Sequence, residues 1–269
     1  PADFGCLGER VGYYGNSLGD HFGVGHIFLA GEAPGLFYGY VTQGIVQKED
    51  ITENGIKYIK QDGSVGYYQT VNKTTPVAGD VKYVDRNGDG VVDDNDRDII
   101  GNPNPDFTYG FQTKVSWKSL SLSASFNGVQ GRDILNVGNR YNNTPGTKSN
   151  NVTRKAFQNM WTDENPSNLY PKSTFVVQNM VMDRYVEDGS YLRCSDITLS
   201  YVLPAKWTNK IGIKNTSVYA SVKNAFVITD YSGYDPEVNS FAFDGLRPGV
   251  DMNSYPTPRS FVFGLNLTF

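Results

Sequence analysis

No stretch of the 269-residue sequence strings together the roughly 20 apolar residues that a membrane-crossing helix needs. That lack excludes helical spans. It leaves open a membrane β-barrel, whose lipid side uses only every second residue of each strand. Basic residues are outnumbered, 24 Lys and Arg against 28 Asp and Glu, giving a net charge of -4 and a pI near 5.2. Phosphate recognition draws on clustered Lys and Arg, so nucleic acid is excluded as a partner. Cysteine is limited to Cys6 and Cys194, without framework spacing. Histidine is limited to His21 and His26, both distant in sequence from Cys194, so no Cys/His zinc set is expected. Both His residues are expected in solvated loops. The chain starts at Pro1 without an initiator Met or a signal peptide, which a fragment or a processed chain explains best. Catalytic signatures are missing as well: no G-x-S-x-G, no H-E-x-x-H and no phosphate loop. Nothing singles out two carboxylates as a glycosidase pair, and the chain is not expected to be an enzyme.

What is present is strict alternation. Over 119–127, Leu120, Leu122, Ala124 and Phe126 share one face, with Ser119, Ser121, Ser123, Ser125 and Asn127 opposite. Successive strand side chains point to opposite faces, so one side is apolar and the other fully polar. Residues 106–117 repeat this, with Phe107, Tyr109, Phe111, Val115 and Trp117 against Thr108, Gln112, Lys114 and Ser116. The Lys118-Ser119 link between them predicts a hairpin. Further strands are predicted over 195–203, 216–228 and 259–269, with a less regular one over 36–46. A short helix is predicted over 151–161.

The connections are unequal. Lys118-Ser119 is minimal and 204–215 modest, whereas 47–105, 129–190 and 229–258 are long and rich in Asn, Gly, Asp, Pro and Thr. Compact soluble domains rarely carry several loops that long. Outer-membrane barrels have short periplasmic turns and long external loops, and counting strands back from Phe269 puts all three long loops outside. A β-sandwich alternates too, but its solvated face is usually charged. Here the polar faces hold mainly Ser, Thr, Asn, Gln and Gly, which suits a wet lumen. Aromatics sit near strand ends, at Phe107, Trp117, Tyr201, Phe261 and Phe269, as in an interfacial girdle. The expected fold is all-β, an antiparallel transmembrane β-barrel segment of about six C-terminal strands. A membrane barrel needs at least ~8 strands, so the rest must come from other sequence.

Residues 85–96, DRNGDGVVDDND, have the spacing of a calcium loop: Asp85, Asn87, Asp89, the Val91 carbonyl, Asp93 and Asp96, with Gly90 at the sharp turn. Asp96 stands where a bidentate Glu is usual, and no amphipathic helix precedes Asp85. The alternative is an acidic turn closed by Asx hydrogen bonds. Calcium is the only cofactor the sequence suggests. Trp161, Tyr170, Tyr231 and Tyr234 offer flat faces in the long loops for substrate or lid contact. The competing reading of the whole chain is a soluble surface glycan-binding β-protein with a dockerin-like calcium loop.

The segment 79–136, GDVKYVDRNGDGVVDDNDRDIIGNPNPDFTYGFQTKVSWKSLSLSASFNGVQGRDILN, resembles the C-terminal barrel region of SusC/RagA-type TonB-dependent outer-membrane transporters of Bacteroidetes-like bacteria. GEAPGLFYGYVTQGIVQ (31–47), MWTDENPSNLYPKS (160–173) and YPTPRSFVFGLNLTF (255–269) resemble the same family. The resemblance covers about 25–269 and leaves 1–24 unplaced. It implies a barrel of 22 strands around an N-terminal plug, which this chain lacks along with the TonB box. It also implies import of glycan oligosaccharides or peptides across the bacterial outer membrane, driven through TonB, with a SusD-like lipoprotein as lid. The alternating end, Phe261, Phe263, Leu265, Leu267 and Phe269, resembles the signal read by the barrel-assembly machinery; it also suits contact with the lipid bilayer.

Overall fold

A computed structural model describes residues 11–13, 25–144, 151–173, 180–208 and 215–268. Five long strands carry the alternation: β1 (Phe107–Trp117), β2 (Leu120–Gln130), β3 (Tyr191–Val202), β4 (Asn215–Thr229) and β5 (Ser260–Thr268). They form one antiparallel sheet in chain order, each paired to the next. Lys118 turns the first hairpin with φ of 55°, and Trp117 faces Leu120 across it. Lengths of 9 to 15 residues reach or exceed the about 9–11 residues that a tilted membrane strand needs. Among the described residues the outer strands β1 and β5 each pair on one side only.

Register decides which side chains share a face, because directly paired residues point the same way. The row Val115, Leu122, Leu199, Ala220 and Phe263 runs unbroken across all five strands. A β-bulge interrupts β3: Ser125 pairs with Asp196 but Phe126 pairs with Cys194, leaving Ser195 as the extra residue. The apolar side of β3 is therefore Leu192 and Cys194 before the bulge, and Ile197, Leu199 and Tyr201 after it.

This sheet belongs to one compact unit, comprising residues 105–132, 188–238 and 255–269. The other unit holds the remainder: the chain up to Asn104, together with 133–187 and 239–254. Here the long connections do not lie solvated but enclose a core of their own. In Gly55–Ile59, Ile56 and Tyr58 alternate inward, and Tyr68 joins them from Val65–Tyr68. The Tyr58 hydroxyl donates to the Asp85 carbonyl at 2.7 Å, and the Tyr68 hydroxyl accepts from the Tyr83 amide at 3.1 Å. Ile45, Val46, Val92, Leu135, Met182 and Val250 complete the interior. Each such fully buried apolar side chain contributes roughly 1.5–3 kcal/mol.

Two expectations are corrected in this unit. The strand read over 36–46 is two strands, Leu36–Tyr40 and Thr42–Ile45, neither of them in the long sheet. Leu36, Phe37, Gly39 and Tyr40 are all buried, so this segment packs on both faces and its sequence shows a continuous apolar run rather than alternation. His26, expected in solvent, is fully buried against Phe37, with its Nε2 3.2 Å from the Pro248 carbonyl. Burial holds its pKa down at about 4, against the opposing pull of that carbonyl. His21 lies outside the described residues. The helix anticipated over 151–161 is present as Arg154–Asn159, capped by the Thr153 hydroxyl.

Candidate functional site

The five-stranded sheet has two chemically opposite faces. On one, Val115 is 64%, Trp117 69% and Phe263 79% exposed, and Leu122, Leu199, Phe261, Leu265 and Leu267 are exposed beside them. The core cluster contains no residue of this sheet, and among the described residues its apolar side chains stay exposed. Water does not favour a bare surface of this size. Phe111 stacks on Phe126 with ring centroids 4.5 Å apart, and Phe126 meets Phe226 edge-on, binding β1, β2 and β4 through their apolar faces. Cys194, with a free thiol, is buried on this side; Cys6 lies outside the described residues.

The opposite face is hydroxyl-rich and carries ions. The Ser116 and Ser121 hydroxyls are 2.8 Å apart across the first hairpin. The Asp196 carboxylate accepts from Thr198 at 2.8 Å and Ser221 at 2.7 Å, and pairs with the Lys223 ammonium. An ion pair of this kind in hydrocarbon would be costly and belongs against water.

Near one end of this polar face the connection after β4 folds back onto the sheet. Arg193, nearly fully buried, donates through Nη2 to Asp235, and its Nε lies 3.0 Å from Glu237 Oε2. Glu237 also accepts from the Tyr191 hydroxyl at 2.6 Å and the Asn127 amide at 3.0 Å. Arg132 donates to the Pro236 carbonyl at 3.0 Å. Burial pushes the Asp235 carboxyl up, but donors from Glu237 and Thr257 and the Arg193 charge outweigh it and hold the group below its ordinary value. The sequence reading missed this cluster. Its one legible trace is the placement of Arg193 just before the bulge, where the alternation changes phase.

The acidic loop is closed by its own amides. Asp85, nearly fully buried, accepts from the Gly88 amide at 2.6 Å and the Gly90 amide at 2.8 Å. Asp96 accepts from the amides of Arg86, Asn87 and Asp93. Asp89 accepts from the Val91 amide, and Asp93 from Asn95. Burial raises the Asp96 carboxyl above its usual range despite its three donors. Among the described residues no three His, Cys, Asp or Glu side chains converge as a metal set. These bonds form the Asx pattern anticipated for the loop.

The four loop aromatics part company. Trp161 is buried in the core of its unit, with its indole N–H on Gln47 Oε1 at 3.0 Å. Tyr231 is buried too, Tyr170 is half-buried, and Tyr234 is 71% exposed. Of the four, Tyr170 and Tyr234 retain accessible surface for a partner. Of the terminal residues, Phe261, Phe263, Leu265 and Leu267 all lie on the exposed apolar side of β5, and Phe269 lies outside the described residues.

No family model matches the chain. Among curated proteins, a TonB-dependent receptor of Formosa agariphila is 35% identical over 201 residues, spanning 72% of this chain and 20% of that protein. A second receptor of the same organism is 33% identical over 248 residues, 90% of this chain and 23% of its own length. The TonB-dependent receptor SusC of Bacteroides thetaiotaomicron is 34% identical over 194 residues, 70% of this chain and 17% of that receptor. The chain thus spans about a fifth of these relatives. Among solved structures, the RagAB peptide transporter superposes with a TM-score of 0.63 at 25% identity, over 91% of this chain and 24% of the matched one. The RagAB peptide importer in its open-open state gives 0.62 at 26% identity, over 91% and 23%.

Proposed function

Because the chain belongs to the SusC/RagA-type TonB-dependent receptors, we propose that it supplies barrel wall, pore lining and surface loops to an outer-membrane importer of oligosaccharides or peptides. Its five strands are a segment of the antiparallel transmembrane β-barrel of that family. The observation that carries the reading is the two-faced sheet, bare and apolar on one side, hydroxyl-lined and ion-bearing on the other. Lipid suits the first side and a water-filled pore the second. In this reading a SusD-like lipoprotein lids the loops. TonB drives transport through parts of the receptor outside this chain, and the barrel-assembly machinery reads the aromatic end of β5. The similar proteins are receptors and transporters, which supports a transport role over an enzymatic one.

The test is fractionation of the intact protein. It is expected in the outer-membrane fraction, running as a compact, heat-modifiable band on gels, with uptake of its substrate lost on deletion. Recovery as a soluble periplasmic monomer would reject the proposal and favour a soluble glycan-binding β-protein instead.

A further inference from the structure

The loop-bearing unit contains a cavity of about 220 Å³ whose wall holds two cations and no carboxylate. Two short helices, α1 (Val137–Asn143) and α2 (Arg154–Asn159), border it, with residues 169–171 and the turn Asp183–Tyr185 completing the wall. Lys155 projects from α2 and forms no ion pair among the described residues. Arg184 donates through Nη2 to the Leu169 carbonyl at 2.6 Å, which holds its guanidinium charge in the wall. The two acids at and just after the turn, Asp183 and Glu187, are engaged by other groups. Asp183 accepts the Thr42 hydroxyl at 2.6 Å and the Thr42 amide at 3.1 Å. Glu187 accepts the carboxamides of Asn136 and Asn139. Two positive groups thus share a concave surface with no carboxylate among its described lining residues.

The other lining groups define what else would fit. Asn139 has its carboxamide oxygen available, because its nitrogen is held by Glu187. Asn143 shows the reverse: its oxygen accepts from Thr153 at 2.7 Å and its nitrogen is available to donate. Such complementary amide groups read ring hydroxyls, which both donate and accept. Tyr170, Tyr185 and Leu169 supply an apolar wall. The volume is below that of a pocket for a drug-sized ligand and suits a single residue of an oligomer.

We propose that this cavity binds one residue of a carboxylate-bearing sugar, of the uronate type, with its carboxylate toward Lys155 and Arg184. The proposal deepens the import reading by naming a substrate class, and it rests on that reading.

The test uses the intact receptor in detergent, titrated calorimetrically at low salt with trigalacturonate, its methyl ester and triglutamate. Trigalacturonate is expected to bind most tightly, and Lys155→Gln to weaken it about tenfold, the scale of one lost charge-assisted contact. The methyl ester, lacking the charge, is expected to bind weakly and to be indifferent to Lys155→Gln. Lys155 is exposed, so this variant keeps the fold, which heat modifiability checks. The proposal is overturned if trigalacturonate gives no binding, if ester and acid bind equally, or if triglutamate binds as well or better. It is also overturned if Lys155→Gln and Arg184→Gln both leave trigalacturonate affinity unchanged. Binding with these dependences in a receptor whose deletion spares uptake would sink the import reading alone. Intact uptake of a neutral substrate without trigalacturonate binding would sink this one alone.

Discussion

At the scale of single residues, burial has made two groups decisive. His26 has a folded-state pKa of about 4 against an ordinary 6.5, so the unfolded chain binds its proton first as pH falls. Its contribution is complete above pH 6.5 and is lost on the way down to about pH 4, on the order of 3 kcal/mol. Hydrogen exchange of the loop-bearing unit should show faster opening at pH 4.5 than at pH 7, and His26→Gln should flatten that difference. Gly79 is the second case. Its φ is 88°, and a Cβ there would stand 2.7 Å from the Trp161 ring and 2.8 Å from Lys172. Gly79→Ala should cost about 1–3 kcal/mol. Gly63→Ala, at φ 83° but facing open space, should cost less by roughly the steric part. Equal losses in the two variants, read from thermal melts, would remove the role assigned to Trp161. That role was not legible in sequence, because an aromatic in a long loop reads the same whether it packs inward or faces a ligand.

At the scale of elements, the apolar faces of the long strands should reject charge and the polar faces accept it. Leu199→Arg, in the row from Val115 to Phe263, is expected to destabilise the folded barrel by about 2–4 kcal/mol, as at a bilayer midplane. Ser121→Lys, pointing the other way beside Ser116, should be nearly neutral. The folded fraction on unheated gels measures both, and a similar loss from each would contradict the assignment of faces. The five strands were readable from sequence because one side meets one medium and the other side another, which enforces a period of two. Leu36–Tyr40 was read as a strand and is one, but its place outside the long sheet was not legible, because protein surrounds it on both sides. The true start of β3 at Tyr191 was missed because the Ser195 bulge shifts the period, and a fixed-period reading stops there.

At the scale of the molecule, the three long connections were legible as loops but not as a folded unit. The core of the unit they help to form is built from contacts distant in sequence, such as Tyr40 beside Tyr83 and Tyr83 beside Met182, which no local pattern announces. The acidic loop belongs to that unit and is held by amide donors, so calcium added to the intact protein is expected to move its melting temperature by less than about a degree. A rise of several degrees would assign the loop's oxygens to an ion. The 269 residues alone, with the sheet's apolar side bare, should aggregate in water and stay dispersed only in detergent. A sharp, reversible melt without detergent would contradict that.

The outermost strands of the sheet add a constraint of counting. Five antiparallel strands alternate in direction, so β1 and β5 run the same way. A ring in which every neighbour runs oppositely can close from these two rims only by inserting an odd number of further strands. Any complete wall built on this sheet therefore has an even total, whatever its circumference.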